Sequence, residues 1–247
     1  MDICLFLIGT VYDTPDAAPS IDAASLHAAS QAIDGLRRLV IHRPMQPSRD
    51  DPLLSAPEQH PHCVLQWYFD DLGKLETALE RDGRIQAALD ISSAARLDRR
   101  HFAQQVMAVR TFATPADAGA GVSRQPAERC TYLVSYEGEA ADFNAWLTHY
   151  VTHHPPLMAE LPGLRELEIY TRVDYRSGLA LPRSTAMQRN KVVFDDPLAL
   201  SNALASPVRA RMRRDFDCFP PYSGSTPHYP MRSIYGNLRE EPPDRRP

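Results

Sequence analysis

The sequence has few cysteines, few glycines and no long hydrophobic run, and each shortage excludes a class of protein. The four cysteines, Cys4, Cys63, Cys130 and Cys218, are far apart and form no CxxC pair, which excludes a zinc knuckle or a dithiol redox motif and indicates a reducing compartment. Only 11 glycines stand against 22 prolines. Neither a glycine-rich phosphate loop nor a GxSxG motif is present, which disfavours nucleotide-dependent chemistry.

Charge and hydropathy also point away from nucleic acids and membranes. Lys and Arg number 27 against 31 Asp and Glu, for a net charge of −4, so bulk attraction to nucleic acid or to an anionic membrane is not expected. The apolar run from Ile3 to Val11 lacks a basic flank and is too short to span a membrane. We therefore predict a cytoplasmic protein whose partner is a small-molecule ligand, present as a monomer or a homodimer.

Three sequence blocks occur twice in the same order, about 125 residues apart. Gly35–His42 resembles Gly163–Tyr170, the Phe-Asp-Asp at 69–71 recurs at 194–196, and Met107 corresponds to Met231. A period of this length is too long for a solenoid repeat and is typical of a duplicated small domain. With 247 residues and 43% hydrophobic content, the chain is long enough to bury a core without a disulfide or metal.

Hydrophobic periodicity predicts the element order β-α-β-β-α-β in each copy. The predicted strands are Cys4–Tyr12, Leu36–Arg43, Val64–Phe69, Gln105–Phe112, Tyr132–Tyr136, Leu164–Val173, Lys191–Phe194 and Met231–Tyr235. The predicted helices are Ile21–Ile33, Leu72–Leu89, Ala140–His154 and Pro197–Phe216. The expected domains are 1–113 and 130–238, with a linker over 114–129 and a disordered tail over 239–247.

Alternation along the second strand of each copy predicts which side chains share a face. Leu39 and Ile41, like Leu167 and Ile169, should pack on the helices. The opposite face carries polar and charged side chains: Arg38, Val40 and His42 in one copy, and Glu166, Glu168 and Tyr170 in the other. A sheet with helices on one side only must cover its other face, so two copies packed sheet against sheet would enclose a polar cavity. The site is predicted there.

A group of motifs in the second copy resembles the EthD family of dimeric α/β-barrel proteins. The motifs are Phe143-Asn144-Ala145-Trp146, Tyr150, His154-Pro155-Pro156-Leu157 and Leu161-Pro162-Gly163-Leu164. The resemblance implies an α+β fold in which two fused ferredoxin-like βαββαβ units form an intramolecular dimeric α/β barrel. The first copy has Leu26 where the second has His154, and Asp22 where it has Tyr150, so it is degenerate at the site. EthD-like and related barrels include ether-catabolism accessory proteins, muconolactone isomerases, cofactor-free monooxygenases, polyketide cyclases and decarboxylases, so the resemblance does not decide the reaction.

The segment from His149 to His154 carries the candidate catalytic groups. On a helix, Trp146, Tyr150 and His154 form one stripe, and His149 and His153 form another. Because Pro155 and Pro156 cannot donate backbone hydrogen bonds, the helix is expected to end or kink at His154. The field at a helix C-terminus favours a protonated histidine, so His154 is expected to change charge near neutral pH and to act as a general acid/base.

The sequence thus predicts a nucleotide-independent catabolic enzyme of isomerase, lyase or cyclase type that acts on a small hydrophobic or aromatic compound. His154 and Tyr150 are the predicted catalytic residues, and the predicted substrate-binding residues are His42, Trp146, His153 and Tyr170. No cofactor is expected. No metal is expected either, because no third ligand is evident beside His149 and His153. Two alternatives stay open: a haem protein of chlorite dismutase-like type with His149 or His153 as axial ligand, and a non-catalytic EthD-like accessory or binding protein. The competing roles are a helix cap for His154, a core position for Trp146 and ion pairs with Arg38 or Arg172 for the two glutamates.

Overall fold

The computed structural model describes residues 1–9, 21–45, 60–91, 102–115 and 128–237. Most of the predicted linker and the whole predicted tail lie outside these residues, as does most of the loop expected between the second and third strands. The domain boundaries at 113 and 130 therefore stay predictions. None of the helices in the described ranges is both long and apolar enough to cross a membrane.

The elements follow the predicted order closely. The strands are β1 (Ile3–Gly9), β2 (Leu36–Pro44), β3 (Cys63–Phe69), β4 (Phe102–Phe112), β5 (Glu128–Tyr136), β6 (Glu139–Ala140), β7 (Glu166–Arg172), β8 (Gln188–Phe194), β9 (Tyr222–Ser223) and β10 (His228–Asn237). The helices are α1 (Ala23–Ser30), α2 (Leu72–Ala78), α3 (Arg84–Ile91), α4 (Phe143–Met158), α5 (Pro197–Ala205) and α6 (Pro207–Phe216).

Eight strands close into one antiparallel barrel, in the order β1-β3-β2-β10-β5-β8-β7-β4. Within each half, the fourth strand pairs with the first, the first with the third and the third with the second, which is the ferredoxin-like order. The halves join where β2 pairs with β10 and where β4 pairs with β7. The predicted fold, two ferredoxin-like units fused into an intramolecular α/β barrel, is confirmed. The short strands β6 and β9 form a separate two-stranded sheet.

The repeated sequence blocks have the same local roles in the two halves. Gly35 and Gly163 both adopt positive φ, +74° and +75°, a conformation that glycine adopts without steric cost. Gly35 directly precedes β2, and Gly163 lies three residues before the start of β7. The last aspartate of each Phe-Asp-Asp block caps a helix: Asp71 accepts from the Lys74 N–H at 2.9 Å and Asp196 from the Ala199 N–H at 2.8 Å. These side chains satisfy N–H groups that the first helical turn leaves unpaired.

The core has three parts, two outside the barrel and one inside it. Under α1, α2 and α3, the outward-facing side chains of the first half include Leu39 and Ile41. Under α4, α5 and α6, those of the second half include Leu167 and Ile169. Both pairs lie on the helix-facing side, as the alternation predicts. The third part fills the barrel itself with inward-facing side chains, among them Phe6 and Tyr170.

Two of the predicted helices are each divided into two. The helix expected over Leu72–Leu89 is divided into α2 and α3 at a turn where the Gly83 N–H donates to the Glu80 carbonyl. The helix expected over Pro197–Phe216 is divided at Ser206, which is extended (φ −72°, ψ 157°) because the residue before a proline is disfavoured in the helical region.

The helix does not end at His154, one of the two predicted outcomes, because α4 continues through Pro155 and Pro156 to Met158. The two prolines leave the carbonyls of Val151 and Thr152 without their helical N–H partners. Thr152 is exposed and Val151 is partly exposed, so water can solvate these carbonyls and the helix need not break.

Candidate active site

A cavity of about 210 Å³ lies between the outer face of the second half of the barrel and its helices. Strands β5 and β8 form its floor, and α4, α5 and α6 form its walls. The lining is mostly aliphatic and aromatic, with a few polar side chains: His154, Asn190, Arg209, Arg213, Thr226 and His228. Sites for drug-sized ligands occupy about 300–1,000 Å³, so this volume suits a compact molecule of one or two rings.

His154 is one of two imidazoles on this cavity, the other being His228, and α6 supplies the hydrogen-bond partner of His154. Its Nδ1 lies 2.8 Å from Oδ2 of Asp215. Because an ionised carboxylate only accepts hydrogen bonds, Nδ1 carries the proton and donates it to Asp215. Nε2 then holds the lone pair, and among the described residues it has no hydrogen-bond partner. The Asp215 carboxylate therefore sets the tautomer in which His154 can accept a proton.

The charge of His154 differs from the one predicted from the sequence, because the side chain is buried. Loss of hydration lowers the pKa of His154, and the hydrogen bond and charge of Asp215 oppose this shift only in part. The expected rise at a helix C-terminus does not apply, because α4 extends a full turn beyond His154 and the field of the helix is strongest in its last turn. The neutral imidazole is the favoured form at neutral pH.

Asn190 presents the second polar group of the cavity. Its Nδ2 donates to the Tyr150 hydroxyl at 2.7 Å, whereas its Oδ1 is buried and has no partner among the described residues. A buried acceptor without a donor is costly, by about 1–3 kcal/mol. A ligand hydroxyl or N–H in the cavity could supply the missing donor.

Tyr150 and Trp146, two of the predicted site residues, lie behind the cavity wall and do not line it. Both are fully buried, and their rings stack with centroids 5.1 Å apart. Burial raises the pKa of the Tyr150 hydroxyl, so this group stays protonated at neutral pH. The geometry gives Tyr150 a positioning role through Asn190 in place of a direct catalytic one, and it makes Trp146 a core residue.

The predicted substrate-binding residues His42 and Tyr170 face the interior of the barrel, on the other side of the sheet. His42 Nε2 donates to the Gln66 side-chain carbonyl at 2.6 Å. Tyr170 lies 2.7 Å from the Tyr68 hydroxyl and also contacts Glu168. The structure therefore does not bring these two residues together with His154, because successive side chains of a strand point to opposite faces.

The barrel interior is filled by an ionic network where the sequence suggested an open cavity. Glu168 lies 2.6 Å from Arg38 and 2.7 Å from Lys191, and Glu166 lies 3.5 Å from Arg38. Pairing of the two glutamates with Arg38 is thus confirmed. Lys191 is fully buried, and the Tyr68 hydroxyl lies 2.9 Å from its ammonium group. At one end of the interior, a void of only about 20 Å³ lies near Phe6 and Arg189.

Asp215 is the site residue that sequence reasoning missed, and it also lies beside His149. His153 is exposed and does not line the cavity, contrary to prediction; its Nδ1 donates to the His149 carbonyl at 2.9 Å. His149 Nε2 lies 3.3 Å from Oδ1 of Asp215. The only signal for Asp215 in the sequence is an acidic residue at the end of a basic run, and 61 positions separate it from His154.

The cavity beside His154 does not fit a haem. A haem is larger than a drug-sized ligand, whereas the cavity of about 210 Å³ is smaller than the range of about 300–1,000 Å³ for such ligands. The two histidines considered as axial ligands, His149 and His153, are not among the residues that line it. The haem alternative therefore receives no support from this geometry.

Comparison with known proteins identifies the fold and goes no further. No family model and no curated protein matches the sequence. A putative monooxygenase from Lactobacillus acidophilus aligns over 96% of this chain and 96% of its own at 13% identity, with a TM-score of 0.52. An anthrone oxidase-like protein aligns over 95% of this chain and 93% of its own at 12% identity, with a TM-score of 0.54.

A structure from the family named by the sequence resemblance also matches, over a smaller region. An EthD family protein from Bacillus halodurans aligns over 40% of this chain and 95% of its own at 20% identity, with a TM-score of 0.33, which is too low to support membership of that family. The chain nevertheless has the fold of the dimeric α/β-barrel proteins, with both halves of the barrel supplied by one polypeptide.

Proposed function

We propose that this protein is a nucleotide-independent catabolic enzyme that moves a proton on a small hydrophobic or aromatic compound, in an isomerase, lyase or cyclase reaction. One observation carries the proposal: His154 lines an apolar cavity of about 210 Å³, Asp215 holds its Nδ1, and its Nε2 has no hydrogen-bond partner among the described residues. A histidine held in this way is a general base whose reactive lone pair is already in place.

In the proposed reaction, Nε2 of His154 takes a proton from an activated carbon of the substrate. The electron pair of the broken C–H bond moves into the adjacent carbonyl and forms an enolate, and the resulting imidazolium is stabilised by Asp215. Arg209 and Arg213 line the cavity, and their positive charges favour the enolate. The imidazolium then returns the proton to a different carbon, which completes an isomerisation with no redox change.

Asn190 would orient the substrate in this scheme. Its buried Oδ1, which has no donor among the described residues, would accept a hydrogen bond from a hydroxyl group of the substrate. The Asn190 side-chain N–H group already donates to the Tyr150 hydroxyl, so Oδ1 is the atom of Asn190 that is left for the substrate. The free acceptor favours phenols, and hydroxyl-bearing members among enolisable aromatic ketones and small lactones, as the substrate class.

Deuterium exchange tests the proton transfer without knowledge of the natural product. We would incubate the full chain in D₂O with 2-tetralone and with a panel of unsaturated five-membered lactones, and follow loss of the acidic C–H signal by NMR. General-base catalysis contributes about 10²–10⁴-fold, so His154→Ala should lower the exchange rate at least about 100-fold. Asp215→Asn should also lower it, because an amide can impose the wrong tautomer.

The matched control is His60→Ala, which removes a histidine from the first half of the chain and should exchange at the wild-type rate. Equal rates for wild type and a folded His154→Ala variant would remove His154 from the mechanism. Thermal stabilisation of the wild type by a panel compound, with no exchange of any compound, would instead indicate the non-catalytic binding protein.

A further inference from the structure

A cluster of three ligand-type side chains lies beside the cavity, on the surface between α4 and α6. From this cluster we infer that His149, His153 and Asp215 form a binding site for a divalent transition-metal ion of the zinc class. One ligand atom from each residue lies within 4.8 Å of the other two. Neither His149 nor His153 lines the cavity described above, and the cluster shares only Asp215 with the proposed catalytic pair. The inference does not depend on the proposed reaction.

The spacing of the ligands suits direct coordination. His149 and His153 are four residues apart on α4, so their rings lie on one face of the helix, with centroids 4.5 Å apart. His149 Nε2 lies 3.3 Å from Asp215 Oδ1. Two ligands at the usual zinc distances of about 2.0–2.2 Å, in tetrahedral geometry, are themselves about 3.3 Å apart. The observed separation therefore leaves room for an ion between these two atoms.

Two of the three ligands, His153 and Asp215, are held by a second contact, as metal-binding side chains usually are. The His153 Nδ1–H donates to the His149 carbonyl at 2.9 Å, which leaves the lone pair of His153 on Nε2. Asp215 receives the His154 Nδ1–H on Oδ2, which leaves Oδ1 available. His149 Nε2 is buried and lacks a hydrogen-bond partner among the described residues, so a metal ion would satisfy it.

Charge and exposure also favour a cation here. Metal binding requires deprotonated imidazoles, and two such rings with one carboxylate would give the ligand set a charge of −1. The neighbouring Arg211 and Arg213 are paired with Glu160 and Asp217. His153 is exposed, so an ion can enter from solvent and keep at least one water ligand. Imidazole with carboxylate is a ligand set that suits zinc, nickel, copper and iron.

Titration of the metal-free full chain with ZnCl₂, followed by calorimetry at pH 7.5 without any substrate, tests the site. We expect one equivalent of zinc to bind, and we expect His149→Ala, His153→Ala and Asp215→Asn each to raise the dissociation constant at least about tenfold. Since His153 is exposed, His153→Ala should leave folding intact even if a buried variant does not fold. Cobalt(II) should give visible absorption bands that His153→Ala abolishes.

The control is again His60→Ala, which should bind zinc as the wild type does. Absence of saturable binding at millimolar zinc would overturn the inference. So would binding of equal strength in wild type and His153→Ala, because that result would show only adventitious binding elsewhere. Neither result bears on deuterium exchange, so failure of this site and failure of the proposed reaction are distinguishable.

Discussion

The buried histidine inside the barrel makes a quantitative prediction about stability and pH. His42 is fully buried, and burial, reinforced by the nearby Lys191 charge, lowers its pKa from 6.5 to about 3. Above pH 6.5 the histidine is neutral in both the folded and the unfolded chain. Between pH 6.5 and about 3 the unfolded chain binds a proton that the folded chain does not, so this contribution to stability is lost as the pH falls.

The size of the effect follows from the shift. Each pH unit below 6.5 should lower the free energy of unfolding by about 1.4 kcal/mol, which comes to about 3 kcal/mol at pH 4.5. His42→Gln keeps a neutral hydrogen-bonding side chain at every pH and removes this proton. Although other groups titrate in the same range, they do so in both proteins, so the comparison isolates His42.

The assay is urea denaturation of wild type and His42→Gln at half-unit steps from pH 7.5 to about 4.5. The free energy of unfolding of the wild type, minus that of the variant, should be constant above pH 6.5 and fall by about 1.4 kcal/mol per pH unit below it. A difference that is independent of pH would show that His42 is hydrated or already charged in the folded protein, and would refute the reasoning that burial keeps His42 neutral.

Two further predictions concern the ionic network and the cavity. Glu168→Gln should lower the free energy of unfolding by about 3–5 kcal/mol, because it leaves the fully buried Lys191 short of negative charge. Adding Lys191→Met should recover much of the loss. Urea denaturation measures both effects, and equal stability of the single variant and the wild type would contradict the network. Asn190→Leu should weaken binding of a hydroxylated aromatic ligand by about tenfold, while binding of the same ring without the hydroxyl changes less, because only the hydroxyl can use the Asn190 acceptor. Calorimetry with the matched ligand pair checks this, and equal losses for both ligands would assign Asn190 a merely structural role.

Much of the fold could be predicted because it depends on local patterns. The repeated Gly-Leu and Phe-Asp-Asp blocks mark a positive-φ turn and a helix cap in each half, and both depend on short-range chemistry. Strand alternation correctly separates Leu39 from His42 and Leu167 from Glu168, because the period of two is a property of the extended backbone. The proline pair in α4 shows the limit of such rules, since exposure of the freed carbonyls decides whether the helix stops.

The candidate site depends on contacts that no local pattern encodes. Sequence reasoning places His154 on a helix and near the functional surface, and the structure agrees that it lines a cavity. It cannot identify Asp215 as the partner of His154, because the contact between α4 and α6 depends on how the two helices pack on one sheet. It also grouped His42 and Tyr170 with His154, although the thickness of the sheet separates them.

The sequence by itself therefore determined the element order, the two-fold repetition and the buried face of each strand, since all three follow from residue periodicity and backbone sterics. Only the tertiary structure decided that the barrel interior is closed by Glu168, Arg38 and Lys191, and that the open cavity lies outside it under α4 and α6. The physical reason is that filling a space depends on the summed volume and charge of side chains brought together from distant parts of the chain.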